Sequence, residues 1–113
     1  INKGSEFLII QANDGWLGNS YGPYQHFELA RLRAIENRVP VIRAANTGIS
    51  GIIYPDGSVQ KKVGIGKQEV FMEKIKFGEN KSLYSIYGDI IAIVCFLITT
   101  LFVGYICKKQ YYS

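Results

Sequence analysis

The residues with the richest chemistry in this sequence lie in a loop, residues 13–24, with His26 shortly after it. Residues 13–22 contain three glycines and two asparagines, a composition that favours turns over regular structure. Loops that follow the carboxyl end of a buried strand are where α/β proteins place their sites. Trp16 is therefore interpreted either as a movable wall of a ligand site or as a surface aromatic that holds the loop.

The sequence contains no complete catalytic set. Ser20, Ser50 and Ser58 lack the surroundings of a nucleophile elbow. Cys95 and Cys107 lie in or at the edge of a long apolar run, where the thiolate form is disfavoured. We therefore expect neither a nucleophile nor a cofactor in this stretch of chain.

Four further polar residues invite a structural interpretation. His26 has no second histidine, cysteine or nearby acid at ligand spacing, so we predict a hydrogen-bonded structural histidine and no metal. Arg33 and Glu36 are one helical turn apart, and Arg43 lies in an apolar strand. Buried charges need partners, so these three predict a buried ion network. No nucleophile accompanies them, which favours structural pairing over catalysis.

The elements that must position this loop are predicted as a strand, a helix and then several strands. Residues 7–10 are continuously apolar, which predicts a strand covered on both faces. Residues 24–38 contain good helix formers and predict an amphipathic helix. The predicted apolar side of that helix consists of Leu29, Ala30, Leu32, Ala34 and Ile35.

Several strands follow the helix. Residues 39–45 and 49–54 are strand candidates, and the Pro-Asp-Gly turn at 55–57 joins the second of them to residues 58–63 as a hairpin. Residues 68–77 alternate apolar and polar side chains, which predicts one more strand with a solvent-exposed face.

Composition limits the class of protein. A chain of 113 residues allows one domain at most, and 48% hydrophobic residues excludes a disordered tail. The net charge of +4 comes from basic residues interleaved with acids, without the basic stripe and stacking aromatics of a nucleic-acid interface. We therefore expect no nucleic-acid partner.

Residues 90–107 carry no charge and predict a membrane span. As a helix they would extend ~27 Å, close to the hydrocarbon thickness of a bilayer. The alternative is a buried helix of a globular core. Lys108 and Lys109 follow this segment and Asp89 precedes it, so the positive-inside rule places the tail, residues 108–113, in the cytoplasm.

Residue 1 is isoleucine and no signal segment follows it, so we expect a C-terminal piece of a longer protein.

Five blocks of sequence, in this order and before an apolar helix, resemble the C-terminal part of the bacterial apolipoprotein N-acyltransferases. The blocks are ANDGWLG at 12–18, GPYQH at 22–26, ARLRAIEN at 30–37, RAANTGIS at 43–50 and LYSIYGD at 83–89.

This resemblance implies an α/β fold: the C-terminal part of a nitrilase-like α/β/β/α sandwich followed by one transmembrane helix. The implied boundaries are 1–78 for the periplasmic domain, 79–89 for a connector, 90–107 for the helix and 108–113 for a cytoplasmic tail. The implied location is the bacterial inner membrane.

The resemblance also implies a reaction. The family transfers an acyl chain from a phospholipid to the α-amino group of the N-terminal diacylglyceryl-cysteine of an apolipoprotein, through a thioester on a catalytic cysteine. The family's catalytic glutamate, lysine and cysteine precede the region that resembles this chain. We therefore expect the chain alone to be inactive, with the missing N-terminal part, phospholipid and apolipoprotein as its partners.

The resemblance also implies roles for residues that surround the site. It implies a site wall or lipid entrance formed by Asn13, Trp16 and Leu17. Leu17 stands where the family usually has phenylalanine, which keeps an apolar side chain but loses an aromatic face. Structural support is implied for Arg33, Glu36, Arg43 and Asn46.

Two other interpretations remain open. The chain could be one half of a split enzyme whose other half supplies the catalytic residues, or a non-catalytic, membrane-anchored nitrilase-like module. A tethered soluble-type hydrolase is disfavoured by residues 83–89 and the apolar segment after them.

Overall fold

A computed structural model describes residues 4–78 and 81–111. The first two residues of the predicted connector, the last two of the predicted tail and residues 1–3 lie outside the described residues. The elements, in chain order, are β1 (Leu8–Asn13), a 3-10 turn (Gly15–Leu17), α1 (Gly22–Asn37), β2 (Val41–Asn46), β3 (Ser50–Ile53), β4 (Val59–Val63), α2 (Leu83–Tyr87) and α3 (Ile90–Tyr111).

The four strands form one mixed sheet in the order β1-β2-β3-β4. β1 and β2 are parallel, in a register that pairs Leu8 with Val41 and Asn13 with Asn46. Parallel neighbours need a crossover connection, and α1 provides it. The antiparallel pairs β2–β3 and β3–β4 complete the sheet. The predicted α/β class is confirmed, as are three of the four strands predicted after the helix.

The hairpin between β3 and β4 closes as its sequence predicts. Gly57, at φ +83°, donates its N–H to the carbonyl of Tyr54 at 2.9 Å. The hydroxyl and backbone N–H of Ser58 donate to the Asp56 carboxylate at 2.6 and 2.8 Å. These bonds favour the ionised carboxylate and hold the pKa of Asp56 below its usual value. These hydrogen bonds stabilise the hairpin fully at pH values above the ordinary pKa of aspartate. The stabilisation is lost as the pH falls through the lowered pKa of Asp56.

The core lies between α1 and one face of the sheet. Pro23 occupies the first turn of α1, where its missing N–H costs no bond, and Arg38 ends the helix in the left-handed conformation at φ +52°. Burial of each large apolar side chain in this core stabilises the fold by about 1.5–3 kcal/mol. The buried cluster consists of Phe27, Ala30, Ala34, Val41, Ile49 and Ile53.

The predicted apolar side of α1 is partly wrong. Ala30 and Ala34 are buried as expected, but Leu29, Leu32 and Ile35 are each about half exposed. The helix positions Phe27, Ala30 and Ala34 at 3–4 residue spacing against the sheet, and the two alanines allow close approach. The larger leucines therefore lie on the opposite side of the helix.

The prediction that β1 is covered on both faces is also wrong for the described chain. Its residues alternate between half-buried and exposed, and Ile9 is 61% exposed. β1 is an edge strand of this sheet, and α1 covers only the face to which Leu8 and Ile10 contribute.

Residues 68–77 form no strand, contrary to the prediction. Some of their side chains contact other parts of the domain, whereas Val70 and Met72 are almost fully exposed. Lys61 of β4 forms an ion pair with Glu69 at 2.7 Å, which raises the pKa of the lysine, and Phe77 stacks on Phe7 with ring centroids 6.0 Å apart.

α3 is the one helix among the described residues that is long and apolar enough to cross a membrane. None of its 22 residues is buried. At 1.5 Å per residue the helix extends ~33 Å. It continues past residue 107 to Tyr111, so Lys108 and Lys109 form its last turn, where positive charge is favourable.

Candidate functional site

The candidate site lies where the parallel strands β1 and β2 end. Asn13 and Asn46, the last residues of these strands, are register partners, and the N–H of Asp14 donates to the carbonyl of Asn46 at 3.2 Å. Parallel strands present their carboxyl ends at the same edge of a sheet, so the loop after β1 and the turn after β2 meet there.

Asp14 is the centre of this edge. One carboxylate oxygen, Oδ1, lies 2.9 Å from Nδ1 of His26 in α1, and the other, Oδ2, accepts from Nη2 of Arg43 in β2 at 2.8 Å. The Arg43 Nε–H donates to the carbonyl of Ile49 at 3.1 Å. The side chains of Asp14 and Arg43 are almost fully buried. We refer to Asp14, His26 and Arg43 as the Asp14 cluster; it connects β1, α1 and β2.

The Asp14 carboxylate determines which ring nitrogen of His26 donates the hydrogen bond. An ionised carboxylate only accepts hydrogen bonds, so His26 donates through Nδ1–H. The His26 side chain is 43% exposed. The two cysteines of the chain, Cys95 and Cys107, are in α3, so His26 activates neither as a nucleophile here.

The loop after Asp14 is held at both ends. The N–H of Gly15 donates to the side chain of Asn13 at 3.2 Å, and the N–H of Leu17 donates to the carbonyl of Asp14 at 3.0 Å. Leu17 packs against the backbone of Gly22, where an added Cβ would lie 2.9 Å from a Leu17 methyl group. Trp16, by contrast, is 76% exposed. The loop therefore presents a large apolar ring on a fixed backbone.

The turn after β2 lies against the same carboxylate. Thr47 has φ +59°, and its hydroxyl donates to the carbonyl of Asn46 at 2.7 Å. A Cβ at Gly48 would overlap the Asp14 carboxylate, so the glycine allows the turn to approach it.

A shallow depression of about 490 Å³ opens beside the loop. It is lined by Gly18, Asn19, Ser20, Tyr21, Tyr24 and Ile65. Its walls are partly aromatic, and Tyr21 and Tyr24 lie with ring centroids 6.5 Å apart.

The structure brings together four of the seven residues implied by sequence: Asn13, Trp16, Leu17 and Asn46 all lie at this edge. Arg43 lies in the same part of the fold, bound to Asp14.

The predicted ion network of three residues is wrong. Arg33 and Glu36 form a pair at 2.8 Å on the outer surface of α1, whereas Arg43 is buried and paired with Asp14. The hydrogen bond predicted for His26 is present, and its partner is an acid that sequence reasoning missed. One signal could have found it: a buried arginine requires a buried acid, and Asp14 directly follows the adjacent parallel strand.

Comparisons with known proteins identify relatives of this chain. The carbon-nitrogen hydrolase family profile matches residues 2–83. The chain is 41% identical over 95 residues to apolipoprotein N-acyltransferase of Geobacter metallireducens, which covers 84% of this chain and 18% of that protein. It is 39% identical over 111 residues to the enzyme of the same name from Rickettsia bellii, covering 96% of this chain and 22% of the relative.

A third relative, apolipoprotein N-acyltransferase of Bradyrhizobium diazoefficiens, is 40% identical over 93 residues, which covers 82% of this chain and 17% of that protein. The chain thus spans about a fifth of the length of these relatives.

Proposed function

Because the chain belongs to the carbon-nitrogen hydrolase family, we propose that it is the C-terminal portion of an apolipoprotein N-acyltransferase. One observation carries the proposal: identity of 39–41% over 82–96% of this chain to three proteins with that name. An apolar helix directly after the matched domain supports a membrane enzyme over a soluble hydrolase.

The proposed reaction moves an acyl chain from a phospholipid to the α-amino group of the N-terminal cysteine of an apolipoprotein. In the first step the catalytic thiolate attacks an acyl ester of the phospholipid, the ester bond breaks and a lysophospholipid leaves; in the second the α-amino group attacks the thioester and the thiol leaves, which is nucleophilic catalysis. We propose that the nucleophile, the general base and a positioning lysine come from the part of the enzyme that this chain does not include. The described residues would then supply one wall of the site.

We propose that Asn13, Trp16 and Leu17 form this wall beside the lipid entrance. Their position at the carboxyl ends of β1 and β2 supports that role. The exposure of Trp16 supports it as well, since an exposed indole on a hydrogen-bonded loop backbone is suited to an apolar ligand. Arg43 supports the wall through Asp14, and Asn46 supports it through the backbone of Asp14.

Arg33 and Glu36 have a different supporting role in this proposal. Their ion pair is on the surface, where such pairs contribute little to stability. The backbone carbonyl of Glu36, however, accepts a hydrogen bond from the Ser82 hydroxyl, which connects α1 to the segment leading into α3.

We also propose an orientation in the inner membrane. Lys108 and Lys109 would lie on the cytoplasmic side, and the domain before Asp89 would lie on the periplasmic side.

The chain on its own should transfer no acyl group. The purified chain would be incorporated into phospholipid vesicles with a diacylglyceryl-cysteine peptide, and the peptide mass measured, with the full-length Geobacter metallireducens relative as the active control. We expect an unchanged peptide mass with the chain and a mass increased by one acyl group with the relative. An acylated peptide with the chain alone would contradict our assignment of the catalytic groups to another part of the enzyme.

Lipid contact of the loop can be measured directly because Trp16 is the only tryptophan. We expect its fluorescence in vesicles to be quenched when the phospholipid acyl chains carry bromine. The control is a Trp16→Phe, Tyr54→Trp variant, which moves the indole to the β3–β4 hairpin. Equal quenching of the two indoles, or none at Trp16, would argue against a lipid entrance at this loop.

A further inference from the structure

The short helix α2 presents an apolar surface that no described part of the chain covers. Leu83, Ile86 and Tyr87 are 75, 55 and 60% exposed. At 100° per residue these three side chains fall within an arc of about 100°, and Ser85 lies on the opposite side. Ser85 is partly buried and its hydroxyl donates to the carbonyl of Ser82 at 2.9 Å. α2 is thus amphipathic, with its polar side toward the protein.

The position of α2 in the chain determines what can cover this surface. Gly88 and Asp89 alone separate it from α3, the candidate membrane span. Three Cα–Cα steps of 3.8 Å bring Tyr87 within ~11 Å of the first residue of α3. The polar headgroup layer on each side of a bilayer is about 5–8 Å thick. If α3 crosses a bilayer, α2 therefore lies in or against that layer.

The composition of α2 fits the same location. Two of its five residues are tyrosines, which are enriched where a membrane meets water. We infer that α2 lies flat at the membrane–water interface, with Leu83, Ile86 and Tyr87 inserted among the lipids.

The protein side of α2 connects this membrane contact to the folded domain. Ser82 is buried at the N-terminus of α2; its hydroxyl donates to the carbonyl of Glu36 in α1 and accepts the N–H of Ser85 at 2.9 Å. The C-terminal end of α1 is thereby held at the bilayer surface. If Trp16 also contacts lipid, which rests on the proposed function, α1 lies along the membrane plane, because its 16 residues separate the two contacts by ~24 Å.

Tryptophan scanning of the full chain in vesicles tests the inference. In a Trp16→Phe background, single tryptophans would replace Ile86, Leu83, Val70 or Phe102. Val70 is fully exposed in the segment after β4, and Phe102 lies in the middle of α3. Quenching would be compared between lipids brominated near the headgroup and lipids brominated deep in the acyl chain.

We expect strong quenching of the Ile86→Trp and Leu83→Trp variants by shallow bromine and weaker quenching by deep bromine. The Phe102→Trp variant should show the reverse order, and the Val70→Trp variant should remain unquenched by both. If the two α2 variants behave like Val70→Trp while Phe102→Trp is quenched, the interfacial position of α2 is overturned. An unquenched Phe102→Trp variant would overturn the span and the inference together.

Discussion

Asp14→Asn should lower the stability of the domain by about 3–5 kcal/mol. The substitution keeps the size of the side chain but leaves the Arg43 guanidinium without its counter-charge in a buried position. Breaking a buried pair by removing one charge has a cost of this size, because the remaining charge stays desolvated. Amide hydrogen exchange of β2, with the chain in detergent micelles, measures the free energy of opening.

The matched control for this prediction is Glu36→Gln, which breaks the exposed pair with Arg33 and should cost less than about 1 kcal/mol. An Asp14→Asn, Arg43→Met double variant should recover part of the loss, because it removes both charges. If Asp14→Asn accelerated exchange no more than Glu36→Gln, the Asp14 cluster would not be the structural centre of this edge.

Gly48→Ala should destabilise the same region by about 3 kcal/mol, the upper part of the range for overpacking. The new methyl group would overlap the Asp14 carboxylate and lie 2.8 Å from its Cγ. Asp14 cannot move aside at low cost, since its two oxygens are bound to His26 and Arg43. The expected result is faster amide exchange in β1 and β2.

Gly64→Ala is the control for the overlap. Within the described part of the chain, no heavy atom beyond Gly64 and its two neighbours lies within 4 Å of a Cβ added there, so this variant should exchange as the parent does. An Asp14→Ala background removes the two contacts with the carboxylate and leaves only the Asp14 Cβ, 2.9 Å from the added methyl, so Gly48→Ala should then add less than it does alone. Equal effects of Gly48→Ala in the two backgrounds would assign its cost to the backbone turn and that Cβ instead of the carboxylate.

Sequence reasoning predicted the elements best where local chemistry decides them. The Pro-Asp-Gly turn placed the hairpin, and Pro23 and Pro40 bracketed α1, because proline and glycine act through their own backbone restrictions. The uncharged run placed α3 because its length and composition match a bilayer.

The predictions failed where contacts between residues far apart in sequence determine the structure. Residues 68–77 have the alternation of a strand, but no neighbouring strand pairs with their backbone. Glu69 pairs with Lys61 of β4 instead, and Phe77 stacks on Phe7, just before β1. The predicted apolar face of α1 included Leu29 and Leu32, which are half exposed, because the sequence does not show how closely the helix approaches the sheet.

The candidate site was predicted in its location but not in its centre. The glycine-rich loop and Trp16 identified the edge of the sheet from composition. Asp14 was not predicted as a site residue because its two partners are 12 and 29 residues away in the sequence, and local sequence patterns do not reveal contacts over that separation. Only the parallel register of β1 and β2 brings Asp14 and Arg43 together.

The most direct test of the central claim is a chimera in which this chain replaces the matching segment of the Geobacter metallireducens apolipoprotein N-acyltransferase. The readout is the mass of the N-terminal peptide of a lipoprotein made in cells that have been depleted of their own enzyme and express the chimera. The proposed function predicts an N-acylated cysteine, and lost acylation in a chimera that also carries Asp14→Asn. A chimera that is present in the membrane in normal amount but leaves the amino group free would contradict it, and would favour a non-catalytic membrane-anchored module.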